Sequence, residues 1–125
     1  MSPWIFLLTM LGGGIGAASR FVVDGLVMRH VHNGYPWGTS VINTSGSLIL
    51  GFLTGLADSS ILNSSWMFVL GVGMMGGYTT FSTAIVDTVH LLQKRSYGWA
   101  LANAAGMLVA GIVAAFIGLG LGRLF

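Results

Sequence analysis

The sequence has 125 residues, of which 54% are hydrophobic and only 6% are charged. Five Lys or Arg and three Asp or Glu residues cannot cover a water-facing surface, because soluble domains are about one-quarter charged. Composition therefore excludes a soluble globular protein, and the scattered cations exclude a nucleic-acid-binding face. Because no cysteine is present, disulfides and thiolate metal sites are excluded as well.

Four apolar stretches follow one another along the chain. A bilayer core of about 30 Å needs roughly 20 apolar residues per helix, and each stretch has that length. The short polar segments between them leave no room for a soluble domain. We therefore predict a single domain, 1–125, that crosses a membrane four times, and a bacterial-type inner membrane fits so short a chain. The predicted spans are about 4–28, 39–57, 66–92 and 97–121, and a tryptophan lies near one end of each, at Trp4, Trp37, Trp66 and Trp99.

The first stretch carries two charged residues, Arg20 and Asp24, one helical turn apart on the same face. Charged groups within a membrane span are costly and usually functional. Two interpretations are open from these residues alone. The pair forms a local ion pair, with Arg20 reaching towards the interface, or Arg20 lines a vestibule that attracts anions.

The second stretch contains an amide, Asn43, one turn after Thr39 and therefore on the same helix face. A buried amide must find hydrogen-bonding partners. Asn43 is thus either a contact between helices or a donor to a ligand.

The third stretch combines glycines with hydroxyl groups. Gly71, Gly73, Gly76 and Gly77 precede the polar segment 79–83, which reads T-T-F-S-T. Glycine costs about 1 kcal/mol against alanine inside a helix, and lipid tolerates a backbone break only where protein or a water-filled cavity covers it. The pattern predicts a broken helix whose freed carbonyls meet another helix or an ion. Close glycine packing without a break is the alternative.

The chain offers little for catalysis. The apolar stretches contain no paired carboxylates, Cys–His dyad, H-E-x-x-H motif or phosphate-binding loop. His30 and His32 lie together in a loop without a third ligand nearby. We therefore predict that the protein is not an enzyme.

Three segments together resemble the Fluc (CrcB) family of fluoride channels, over nearly the whole length. Residues 12–21 read G-G-G-I-G-A-A-S-R-F and look like the first-helix signature of the family. Residues 36–39 read P-W-G-T and, with Asn43 and Gly46, look like the second. Residues 76–83 read G-G-Y-T-T-F-S-T and are close to the family's G-G-x-T-T-F-S-T, which is the most specific of the three.

The resemblance implies a fluoride-selective passive channel that lowers cytoplasmic fluoride. It implies an antiparallel, dual-topology dimer with two narrow fluoride pathways and a third helix broken in mid-membrane. Backbone carbonyls at the break, from both subunits, would hold a structural Na⁺. The implied sites are Gly76 and Thr79 for Na⁺, Arg20 for the vestibule, and Asn43, Phe81, Thr80, Ser82 and Thr39 for the pore.

The sequence departs from the family at two pore positions. Ala84 stands where the family usually has a second phenylalanine, and Ile112 follows Gly111 where a serine is normal. Arg29, Lys94 and Arg95 also fall on one side of the predicted topology, which favours both termini outside. We expect the channel to be a homodimer, and a biased chain with an altered pore leaves one alternative open, one half of a heterodimer with an oppositely oriented paralogue.

Two other functions compete with a channel. A small multidrug exporter has similar size, but it needs a membrane-embedded carboxylate in the first helix, where this chain has only Asp24 beside Arg20. A non-conducting structural subunit is the second, since Ala84 and Ile112 alter the expected pore. The position of Asp24 counts against the exporter, and the non-conducting subunit stays open.

Overall fold

The computed structural model describes residues 2–125, which form four long helical spans joined by short loops. The first two spans are uninterrupted α-helices, α1 (Pro3–Arg29) and α2 (Trp37–Asp58). The third is Ser64–Gln93 and the fourth Tyr97–Arg123. All four are long and apolar enough to cross a membrane.

The observed spans enclose the four predicted ones and extend them by a few residues. The start of α1 has a local cause: the Ser2 hydroxyl accepts the Ile5 N–H at 3.3 Å, and Pro3 occupies the first turn, where no N–H is needed. Each of the three loops turns through one residue with positive φ, namely Gly34, Ser60 and Arg95. Short loops of this kind place consecutive spans in opposite directions.

The third span is not one regular helix. It begins with α3 (Ser64–Met67), continues through wide π-helical turns at Phe68–Met75, and reaches α4 (Gly76–Tyr78). Thr79 then adopts an extended conformation, with φ −79° and ψ 158°, and helix resumes as α5 (Ser82–Gln93). Helical structure is therefore interrupted within the hydroxyl-rich segment.

Glycines bring α1 and the first half of the third span together, backbone against backbone. A Cβ added to Gly16 would strike the Met74 carbonyl, and one added to Gly77 would strike the Gly13 carbonyl. Gly73 meets Thr9 of α1 in the same way, whereas Gly76 has no neighbour within 4 Å of an added Cβ. Glycine packing thus explains Gly73 and Gly77, but not Gly76.

The fourth span packs on α2 through a second set of glycines. It consists of α6 (Tyr97–Leu101), wide turns at Ala102–Gly106, and α7 (Met107–Arg123). A Cβ on Gly118 would strike the Leu48 carbonyl, and one on Gly122 would strike the Phe52 carbonyl. From α2, Gly51 and Gly55 face α7 in return. The sequence reasoning attended to glycines of the third span and overlooked this interface.

The outer surface is apolar, as a lipid-facing surface must be. Most large apolar side chains are exposed, and the small buried core is built around Ile42, Leu53, Met75 and Tyr78. Within residues 2–125 the only ion pair joins Arg123 and Asp58, at 2.8 Å. The structure therefore does not contain the Arg20–Asp24 ion pair that was one of the two interpretations. With four such spans, the chain is a multi-pass membrane protein.

Candidate functional site

Asn43 of α2 is hydrogen-bonded to the interrupted backbone of the third span. Its amide oxygen accepts the Thr80 N–H at 2.9 Å, and its amide nitrogen donates to the Thr80 carbonyl at 2.7 Å. The N–H and the carbonyl of Thr80, which lies outside the helix, are thus both satisfied by the Asn43 side chain. Backbone groups in an apolar setting need such partners because leaving them unpaired is costly. The Asn43 nitrogen also donates to the Met107 sulfur at 3.1 Å.

The Thr80 side chain restarts the helix on the far side of the interruption. Its hydroxyl oxygen accepts the Thr83 N–H at 3.2 Å, as an N-cap residue does, and donates to the Thr83 hydroxyl at 3.1 Å. The Ser82 hydroxyl lies 3.4 Å from the same oxygen. Thr80 is buried, whereas Ser82 is exposed. The predicted pore residues Asn43, Thr80 and Ser82 are therefore one connected polar group.

Phe81 follows in the chain and points away from the protein, with 81% of its surface exposed. It lines an open-sided cavity of about 540 Å³ between α2, α5 and the fourth span. Asn43 lines the same cavity, together with both positions where the chain departs from the family, Ala84 and Ile112. The structure thus brings Phe81 and Asn43 to one cavity, as two residues of one pathway would be.

Thr39 lies one turn before Asn43 and is buried, but its hydroxyl is already engaged. It donates to the Asp87 carboxylate at 2.8 Å, across the contact between α2 and α5. The sequence reasoning missed Asp87, although an acidic residue inside an apolar stretch is itself the signal. Asp87 therefore supplies a membrane-span carboxylate that the search for candidate sites did not use.

Asn103 of the fourth span is a second residue that the sequence reasoning missed. It is only 1% exposed, and its amide nitrogen donates to the Ala84 carbonyl at 3.1 Å and to the Thr88 hydroxyl at 2.8 Å. Its amide oxygen has no hydrogen-bond partner among residues 2–125. An amide in an apolar stretch could have been recognised in the same way as Asn43. Asn103 holds the fourth span against α5.

The interruption also frees the two predicted sodium ligands. In an unbroken helix the Gly76 carbonyl would receive the Thr80 N–H, but that group donates to Asn43 instead. The Thr79 carbonyl would likewise receive the Thr83 N–H, which donates to the Thr80 hydroxyl. Gly76 is exposed, with open space beside it. Both carbonyl oxygens are thus without the donor that a continuous helix would give them.

Arg20 is not part of this group. It is partly buried on α1, and the described residues offer it no hydrogen bond or ion pair. Asp24, one turn later, packs instead against Gly38 at the start of α2. The structure therefore brings together Asn43, Thr80, Ser82 and Phe81, keeps Thr39 one turn away, and leaves Arg20 apart.

Comparison with known proteins gives a consistent result. The family described as "CrcB-like protein, Camphor Resistance (CrcB)" matches residues 7–119. A protein of Leifsonia xyli named "Fluoride-specific ion channel FluC 1" is 43% identical over 99% of this chain and 90% of its own length. One of Mycolicibacterium paratuberculosis named "Fluoride-specific ion channel FluC 2" is 45% identical over 90% of this chain and 88% of its own. On this similarity, the chain belongs to the CrcB family.

Proposed function

We propose that this chain is a fluoride-selective passive ion channel that lowers cytoplasmic fluoride. The observation that carries the proposal is full-length similarity to proteins named fluoride-specific ion channels, combined with Asn43 and Phe81 at one cavity. A channel is not an enzyme, and the relatives' names describe transport alone.

The geometry supplies weak but sufficient contacts for a small anion. One N–H of Asn43 is directed at the Met107 sulfur, which is a poor acceptor, so an anion that enters the cavity competes well for that donor. The ring edge of Phe81 carries partial positive charge and attracts an anion without a full countercharge. The Ser82 hydroxyl continues the path as a further donor, while Thr80, whose hydroxyl hydrogen goes to Thr83, holds this segment in place.

The carbonyls of Gly76 and Thr79 fit a structural Na⁺. Both are hard oxygen ligands, and both have lost their helical donors at the interruption. Bound there, the cation supplies charge that compensates carbonyl dipoles left unpaired within a membrane. In the proposed dimer the same two carbonyls of each subunit contribute, and the interruption lies in mid-membrane.

An antiparallel dimer gives the site its second wall. Phe81 and the cavity beside it are open on one side, and a second subunit in inverted orientation closes both. Arg29, Lys94 and Arg95 lie towards one end of the spans, while Arg123 at the other end is paired with Asp58. This asymmetry, with Ala84 and Ile112 in the cavity, keeps a heterodimer with an oppositely oriented paralogue open beside the homodimer.

Two other functions have less support. A small multidrug exporter needs a carboxylate that is free to exchange protons for cations. Asp87 is the carboxylate that the structure places between spans, and it accepts a hydrogen bond from Thr39. A non-conducting subunit would still use Asn43 for its bonds to the Thr80 backbone, and Ala84 and Ile112 leave this alternative open. Fluoride efflux from this chain alone separates a channel from both alternatives.

The test is fluoride efflux from liposomes that contain only this purified chain, with chloride as the control anion. Fast efflux of fluoride but not chloride supports a working homodimeric channel. Efflux that appears only after co-expression with an oppositely oriented paralogue supports the heterodimer. If neither preparation carries fluoride although the protein is folded, the channel function is wrong.

A further inference from the structure

The cavity beside Phe81 is mainly apolar, so its few polar side chains decide how an anion is held there. Four of them line it: Asn43, Ser47, Thr88 and Asn103. An anion that leaves water needs hydrogen-bond donors, whereas acceptor oxygens repel it. The donors of these four side chains can therefore be counted one by one.

Three of the four have their donors engaged inside the chain. The Asn43 nitrogen donates to the Thr80 carbonyl and the Met107 sulfur. The Asn103 nitrogen donates to the Ala84 carbonyl and the Thr88 hydroxyl. The Thr88 hydroxyl itself donates to the Ala84 carbonyl at 2.8 Å. Of these groups only the Asn43 N–H on sulfur is weakly held.

Ser47 differs from the other three. Its hydroxyl has no hydrogen-bond partner among residues 2–125, whereas Thr9 and Thr54 donate to the carbonyl four residues earlier in the usual helical way. Ser47 lies one turn after Asn43 on the same face of α2, and both line the cavity. It is thus the one cavity hydroxyl within the described chain whose donor is unused.

The position of Ser47 also explains how the altered fourth span could be tolerated. Its oxygen lies 3.4 Å from the point where a Cβ on Gly111 would stand, so it occupies the space in front of the fourth span. The fourth span offers no hydroxyl to this cavity. Its lining residues are Asn103, Ala104, Met107, Leu108, Gly111, Ile112 and Ala115. A hydroxyl from α2 therefore stands where the fourth span has none.

We propose that Ser47 is an anion-binding residue of the cavity, donating its hydroxyl hydrogen to fluoride next to Asn43 and Phe81. The inference rests on the proposed channel function and adds a residue to it. Asn43 and Ser47, one turn apart, form two successive donors along α2. As the anion moves from one to the other, the hydrogen bond to the second residue forms before the bond to the first is lost.

The first experiment compares fluoride efflux through the wild type with that through Ser47→Ala and Ser47→Thr. Loss of a hydrogen bond to a charged group predicts efflux about tenfold slower for Ser47→Ala, while Ser47→Thr keeps the donor and should keep most of the rate. The control is Thr44→Val, which removes a hydroxyl from the same helix that does not line this cavity. The preparation is the one, with or without a paralogue, in which the wild type conducts.

A rescue experiment separates binding from packing. Space is open around Gly111, where an added Cβ meets only the Ser47 oxygen at 3.4 Å. In the double variant Ser47→Ala, Gly111→Ser the hydroxyl is returned to the fourth span, and fluoride efflux should recover at least severalfold over Ser47→Ala. Wild-type rates in Ser47→Ala, or equal loss in Thr44→Val, overturn the inference and leave the channel function intact. A wild type that carries no fluoride overturns both.

Discussion

Two regions of the molecule hold their helices together by opposite means. Where α2 meets α7, and where α1 meets the first half of the third span, glycines let backbones touch directly. Around α5, the contacts are made by amide and hydroxyl side chains, with Asn43 on the interrupted backbone and Asn103 on the fourth span. In the glycine region the closest contacts are mainly between backbone atoms, whereas the α5 region depends on hydrogen bonds from side chains.

The difference follows from the solvent. Lipid gives no hydrophobic driving force between helices, so a rigid frame comes from close van der Waals contact, which only small residues permit. A frame of that kind cannot satisfy a broken backbone or hold an ion. Polar side chains are therefore concentrated where the third span is interrupted, and the glycine interfaces keep that region in place.

The largest expected effect is in the glycine frame. Gly118→Leu places a side chain against the Leu48 carbonyl, and we expect at least about 3 kcal/mol of destabilisation and loss of the folded state in detergent. Gly120→Leu is the matched control, since an added Cβ there meets nothing within 4 Å. Thermal unfolding and gel filtration measure both. Equal stability of the two variants would show that the close contact does not matter.

The next effect concerns the amide on the interrupted backbone. Asn43→Ala leaves the Thr80 N–H and carbonyl without their partners, which should cost about 2–3 kcal/mol and abolish fluoride efflux. Asn43→Asp still accepts the Thr80 N–H but sets a second oxygen against the Thr80 carbonyl, so its loss should be at least as large. Hydrogen exchange at the Thr80 amide reports the contact directly. Unchanged protection in Asn43→Ala would contradict this assignment.

Sodium tests the freed carbonyls at the same interruption. If Gly76 and Thr79 hold Na⁺, stability should rise by about 1.4 kcal/mol for each tenfold increase in free Na⁺ above its dissociation constant. The control replaces Na⁺ with N-methylglucamine at constant ionic strength. The measurement is the unfolding temperature, which does not depend on transport. Identical curves in the two salts would remove the sodium site from the proposal.

Asn103 should be much less sensitive than Asn43, although it is more deeply buried. Asn103→Leu removes two donated hydrogen bonds but also removes an amide oxygen that has no partner in the described chain. The Ala84 carbonyl keeps the Thr88 hydroxyl as donor. The two effects offset each other, so we expect the free energy of unfolding, measured by thermal unfolding, to change by no more than about 1 kcal/mol. A loss of stability as large as that in Asn43→Ala would show that the two amides are equally important.

The smallest effect lies in a loop, outside both regions. Ser60 has φ of 62°, a left-handed conformation that costs a residue with a Cβ. Ser60→Gly should therefore stabilise the protein by at most about 1 kcal/mol and leave fluoride efflux unchanged. Ser59→Gly serves as control, because its φ of −83° carries no such strain. A destabilised Ser60→Gly would mean that the loop conformation is set by the side chain.

Much of the fold was predictable because its signals are local. Span length follows from runs of apolar residues, and the interruption follows from glycines beside hydroxyls in the third span. Asn43 was predictable as a residue with partners on another span, because an amide in lipid needs hydrogen-bond partners. Asp87 and Asn103 carried the same kind of signal and were missed, since neither belongs to the three family segments.

By itself, the sequence determined that this is a four-span membrane protein, because hydropathy acts residue by residue. It also predicted a break among the glycines and hydroxyls of the third span, because glycine weakens a helix locally. Only the tertiary structure decided which partner each hydrogen-bonding side chain reaches. Asn43 meets Thr80, Thr39 meets Asp87, and Ser47 is left unpaired, across separations that no local pattern encodes. Hydrogen bonds between spans depend on how helices cross, and the glycine contacts fix that crossing in space.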